Sequence, residues 1–163
     1  MQLTHQQKMK RVRRAEKAVT KLSRMGLIYK LGGARGGSGH NAIENPSGDG
    51  VPWTDCSGFA LYIMSVLGIK ADNPAGWTGT LVSEGSEGES DYFTLFIKEA
   101  QQTEGHVIVR LRRRPRPWHL GQTRYRWAEC GGRDNPRSGG GPTWFKPTLS
   151  RIAEFPDHRR FVL

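Results

Sequence analysis

Regular periodicity in this chain is confined to a few short stretches, and glycine- and proline-rich sequence separates them. The 21 glycines and 9 prolines among 163 residues gather mainly in residues 32–50, 69–91, 112–122 and 131–148. Such punctuation argues against helices packed end to end and points to one domain whose few regular elements are joined by long loops. Residues 5 to 25 read as an amphipathic helix. Met9, Val12, Ala15, Val19, Leu22 and Met25 recur every three or four positions with Lys and Arg around them, and Gly26 is the expected stop. Cys56 to Leu67 reads as a second helix with Phe59, Ile63, Val66 and Leu67 on its apolar face. Thr54 or Asp55 stands at its N-cap position, and Gly68 follows its end. Strands are expected at Tyr92–Ile97, His106–Leu111 and Thr123–Glu129, the last with Tyr125, Trp127 and Glu129 on one face. The last two form a hairpin whose connection, residues 112–122, is basic and stiffened by Pro115 and Pro117. Residues 131–148 read as a second Gly/Pro-rich loop and 151–163 as a short closing segment.

Composition removes several classes. Fifteen aromatic residues, five of them Trp, are too many for a disordered polycation. Two cysteines exclude a disulfide framework, and no apolar run approaches the ~20 residues of a membrane span. The start of the chain is charged but lacks the apolar core of a secretory signal, so synthesis in the cytoplasm is expected. The formal charge of +10 is unevenly spread. Residues 1–30 carry nine bases and one acid, residues 41–100 nine acids and two bases, and residues 110–126 seven arginines and no acid. Two basic segments therefore flank an acidic middle, which makes an anionic partner the first consideration and nucleic acid a rival reading. The glycine-rich stretch from Gly32 to Gly39 lacks the Gly-Lys-Ser/Thr ending of a phosphate loop. Five histidines and two cysteines show no metal-binding spacing, so neither a metal nor another cofactor is expected.

Chemistry has one natural starting point. Cys56 opens the second helix, where unpaired backbone N–H groups and the helix dipole stabilise an anionic sulfur. Gly58, lacking a side chain, lets another backbone approach closely. A cysteine nucleophile needs a base, usually distant in sequence, and a third polar group to orient it. His106 at the start of a strand and Glu129 at the end of its partner strand suit those roles.

The stretch Trp53-Thr54-Asp55-Cys56-Ser57-Gly58-Phe59 resembles the nucleophile motif of the NlpC/P60 cysteine peptidases, which are papain-like and cleave peptidoglycan stem peptides. The family's upstream Tyr-x-x-Gly-Gly element is matched by Tyr29-Lys30-Leu31-Gly32-Gly33, and its histidine strand by Gly105-His106-Val107. Trp127-Ala128-Glu129-Cys130-Gly131-Gly132 looks like the corresponding strand of phage-encoded members. The likeness runs from residue 29 to 132, within a single domain of residues 1–163 that a basic helix (1–26) precedes and a closing segment (133–163) completes. It implies an α+β, papain-like fold in which N-terminal helices pack on a small antiparallel sheet with long Gly/Pro-rich loops. It also implies Cys/His thioester catalysis by Cys56 and His106, with Glu129 as third residue and His119 as its alternative. The oxyanion would meet the Cys56 backbone N–H and the Tyr29 hydroxyl, and Asp55, Ser57 and Gly58 would border the substrate. The expected bond is that between γ-D-glutamyl and the diamino acid. The basic segments would hold anionic cell-wall polymers. The setting would be a phage endolysin or a virion-associated tail peptidase, which acts at the wall after lysis or in a particle with other tail proteins. The alternatives are a structural or wall-binding protein that keeps the fold without catalysis, or a basic nucleic-acid-binding protein.

Overall fold

The computed structural model describes residues 2–25, 27–29, 53–71, 81–98, 106–115, 124–131 and 141–163. The stretches at 30–52 and 116–123, which include the long glycine-rich loop and His119, lie outside the described residues. Among those described, helices α1 (His5–Arg24), α2 (Cys56–Val66) and α3 (Leu149–Ala153) accompany eight strands. The strands are β1 (Ile28–Tyr29), β2 (Trp53–Thr54), β3 (Ser86–Glu87), β4 (Phe93–Lys98), β5 (His106–Arg112), β6 (Tyr125–Cys130), β7 (Pro142–Phe145) and β8 (Asp157–Arg160). Six of them form one sheet in the order β3-β8-β4-β5-β6-β7, with every neighbouring pair antiparallel. The fold is thus α+β.

Helix α1 begins with a reciprocal cap. The Gln7 backbone N–H donates to Thr4 Oγ1 at 3.2 Å, and the Thr4 N–H donates to Gln7 Oε1 at 2.9 Å. Met9, Val12, Ala15, Val19 and Leu22 form its buried stripe, as their spacing requires. Met25 leaves that stripe and is 44% exposed, because the helix ends at Arg24. Helix α2 is buried on nearly every side, from Cys56 through Leu61 and again at Ile63 and Met64. A helix apolar all round is packed on several sides, and α2 contacts α1 as well as strands β5 and β6, while α1 itself also packs on β7 and β5. Gly68, at φ +80, takes the left-handed conformation that stops the chain after α2.

The sheet is covered on both faces. Leu95, Ile97, Val107, Val109, Leu111, Ala128 and Cys130 join α1 and α2 in the main core. On the opposite face Phe96 and Ile108 pack with Phe155, Trp127, Phe145 and Ile152. Strand β5 is therefore buried on both sides, so the face that His106 shares with Ile108 and Arg110 is covered as the valine face is. One loop expectation needs correction, and the closing segment proves to carry regular structure. Residues 142–145, read as loop, form edge strand β7, with Trp144 Nε1 donating to Thr20 Oγ1 of α1 at 3.0 Å. The closing segment supplies α3 and then β8, which inserts between β3 and β4. Neither reads as a strand from its own sequence: β7 is four residues opening on Pro142, and β8 (Asp157–Arg160) is wholly polar.

Candidate active site

Strands β5 and β6 pair with Ile108 opposite Glu129. Residues two apart along a strand share a face, so His106 and Glu129 lie diagonally on the same side at the end of the ladder. His106 Nε2–H donates to Glu129 Oε2 at 2.9 Å. That commits Nε2 to the carboxylate and leaves Nδ1 for the second partner of the ring, the Cys56 side chain, with which His106 is also hydrogen-bonded. Cys56, His106 and Glu129 are brought together in that order, from the first turn of α2 and from two strands 23 residues apart at the point of contact.

The electrostatics follow from burial and partners. Burial acts most strongly on His106 and by itself would lower its pKa. The hydrogen bonds to Cys56 and Glu129 and the negative charge of both outweigh it, and the pKa rises from 6.5 to about 9. Burial pulls the Glu129 carboxyl upward, but the bond to His106 and the charges of His106 and Arg151 bring it below its ordinary value. His106 keeps 14% of its side chain exposed, so the imidazole borders solvent on one side.

Helix α2 holds its first residue rigidly. Asp55 caps it: Oδ1 accepts from the Gly58 backbone N–H at 2.7 Å and from Ser57 Oγ at 3.1 Å. Asp55, Ser57 and Gly58 are all buried, and the hydrogen bonds of all three in this turn set the direction in which Cys56 emerges. Asp55, not Thr54, is the cap. The parallel pairing of β1 with β2 sets Tyr29 opposite Thr54, two residues before Cys56. From there its ring lies against Gly131, which sits at φ +73 and whose missing Cβ would collide with that ring. Cys130, between Glu129 and Gly131, is fully buried, and neither it nor Cys56 is in a disulfide. Burial first, then the charges of Cys56, Asp55 and Glu129, push Cys130 well above the usual thiol range. It remains a neutral, apolar neighbour.

One residue of the cluster carries no sequence signal. Arg151, on α3, donates from Nη2 to Glu129 Oε2 at 3.1 Å, the oxygen that also accepts from His106. Its guanidinium lies 5.0 Å over the Phe155 ring, which in turn lies 5.9 Å from the His106 ring. An arginine in a short polar helix near the chain end looks like any surface cation until the fold brings it to the carboxylate. Among the described residues no three His, Cys, Asp or Glu side chains converge as metal ligands, and no helix is long and apolar enough to cross a membrane. Compared with known proteins, the chain matches no family model and no curated relative.

Proposed function

We propose that the chain is a cysteine peptidase of the NlpC/P60 type that cleaves a peptide bond in the stem peptide of peptidoglycan. The supporting observation is the linked set Cys56–His106–Glu129, assembled from a helix start and two strands. An unpaired buried cysteine or histidine is common, whereas a thiol, an imidazole and a carboxylate joined in series serve nucleophilic catalysis. The choice of wall peptide over other amides rests on the resemblance around Cys56 and Tyr29. By the same resemblance the bond is the one between γ-D-glutamyl and the diamino acid.

In this mechanism Cys56 and His106 act as an ion pair, with the Cys56 proton already held at His106 Nδ1, and the sulfur attacks the scissile carbonyl carbon. The resulting oxyanion accepts from the Cys56 backbone N–H and from the Tyr29 hydroxyl. Collapse expels the amine, which takes the proton back from His106, and leaves a thioester. Water, deprotonated by His106, then attacks the thioester carbon and releases the carboxylate and the thiol. Glu129 holds the ring in the orientation and charge state this requires, and Arg151 holds Glu129.

Digestion of purified muropeptides followed by mass spectrometry tests the reading. New peptide termini should form with the wild-type chain and be absent with Cys56→Ala. Tyr29→Phe should retain activity at a rate lowered on the order of 10²-fold, the cost of one oxyanion donor. Undiminished turnover by Cys56→Ala would rule the peptidase out. Binding to walls without any cleavage would instead favour a protein that keeps the fold for adhesion.

A further inference from the structure

The cations of α1 divide into two sets. Arg11 reaches inward and donates to the Leu67 carbonyl oxygen at 3.2 Å, and the Lys8 ammonium lies 5.1 Å over the Tyr92 ring. The other six, Lys10, Arg13, Arg14, Lys17, Lys21 and Arg24, are all exposed. At 3.6 residues per turn they fall within an arc of about 100° and extend along about 21 Å of helix, opposite the buried stripe. The helix's one acid, Glu16, is turned aside to Arg126 at 3.2 Å. Among the described residues no ion pair engages any of the six. A shallow hollow bordered by Glu16, Lys17, Thr20, Lys21, Arg24 and Met25 lies at the C-terminal end of the ridge.

The second basic segment is different. Arg110 is buried and bound to Glu89 at 2.5 Å, its guanidinium 3.9 Å over Tyr125. Arg112 and Arg124 face Asp91 at 3.9 and 4.0 Å, and Arg126 takes Glu16. Those four arginines pair with acids of the same molecule. Of the segment's described arginines Arg114 is the exposed one with no ion pair, whereas among the described residues none of the six α1 cations has one. Like charges three and four residues apart repel along a helix, so the ridge is relieved when an anion spans it.

We propose that this ridge docks a linear, phosphate-bearing polymer of the bacterial wall. A straight row of cations, about one helical turn of 5.4 Å between successive contacts, suits a chain with regularly repeated phosphates better than a compact anion, which needs converging donors. The choice of the wall as source rests on the peptidase reading; the ridge itself does not.

Co-sedimentation with purified sacculi tests it, using the full chain in a Cys56→Ala background so that the wall stays intact. The comparison is between sacculi that retain their phosphodiester polymer and sacculi stripped of it with hydrofluoric acid. A second protein carries Lys10→Gln, Arg14→Gln, Lys17→Gln and Lys21→Gln, all exposed sites where Gln keeps helix propensity. Retention on unstripped sacculi should fall with salt, and stripping should lower it at least tenfold. The quadruple variant should bind at least tenfold more weakly, with the slope of log K against log salt reduced by about three. Equal retention on stripped sacculi, unchanged retention of the variant, or tighter retention on duplex DNA at the same salt overturns the proposal. Turnover of a small soluble stem peptide, measured with Cys56 restored, should be the same with and without the four substitutions. Its absence in both would refute the peptidase reading and leave the docking result standing.

Discussion

Glu129→Gln removes one charge from the cluster while keeping the side chain's size and one acceptor oxygen. The rise of His106 from 6.5 to about 9 corresponds to about 3.4 kcal/mol at 1.36 kcal/mol per unit. Burial opposes that rise, so the combined pull of Cys56 and Glu129 on the imidazolium is larger still. A hydrogen bond to a charged group contributes about 1.5–3 kcal/mol. Losing the Glu129 charge should therefore lower His106 by about one to two units, to about 7–8. The amide would also be poorly held, because Arg151 Nη2, at 3.1 Å from the same oxygen, is positioned for a carboxylate. Two measurements read the effect. NMR titration of the His106 ring follows the pKa without requiring catalysis. The pH dependence of kcat/KM on a soluble stem peptide follows it through the alkaline limb, expected near pH 9 in the wild type. Both should move down together, and kcat/KM at neutral pH should fall about 10- to 100-fold, the same interaction energy expressed as rate. A His106 pKa unmoved by Glu129→Gln would refute the coupling and demote Glu129 to a structural carboxylate.

Arg151→Met keeps the stem over Phe155 but removes the second cation from Glu129, so kcat should fall about tenfold with KM little changed, and the acid limb should move up. Arg151→Lys should recover part of the loss, and equal loss by Lys and Met would indicate packing alone. Gly131→Ala introduces a Cβ at φ +73 directly against the Tyr29 ring. Strain and overpacking should cost about 2–4 kcal/mol, seen as a lowered denaturation midpoint. His106, raised in the folded state, adds stability that is complete below its unfolded pKa of 6.5 and lost as pH rises through about 9. Glu129, depressed in the folded state, adds stability that is present above its unfolded pKa and lost as pH falls through the folded one. Thermal unfolding should accordingly show Tm declining between pH 6.5 and 9, by an amount that His106→Gln abolishes.

The local signals in this chain were legible because they are local. The stripe from Met9 to Leu22 repeats at the helical period and can be buried in one way only. Asp55 before Cys56, with Gly58 three residues later, encodes a capped helix start without reference to any other segment. The parity of His106 with Ile108, and of Glu129 with Trp127, also follows from the extended chain. Sequence alone thus put a thiol at a helix start and an imidazole and a carboxylate on facing strands.

The tertiary structure decided what those groups meet. Strand β8 and helix α3 have no pattern of their own, since their pairing energy comes from a sheet edge and an apolar face formed by other segments. Through them Arg151 reaches Glu129 across 22 residues of sequence, and Phe155 closes over His106. The basic segments divided for the same reason. Arg110, Arg112, Arg124 and Arg126 found Glu89, Asp91 and Glu16, whereas the outer face of α1 meets no acid among the described residues. Charge can be counted in a sequence, but whether it is neutralised depends on which opposite charges folding brings within reach. That is why the net charge of +10 raised an anionic partner, and only the fold separated the arginines that meet acids from the α1 cations that, among the described residues, do not.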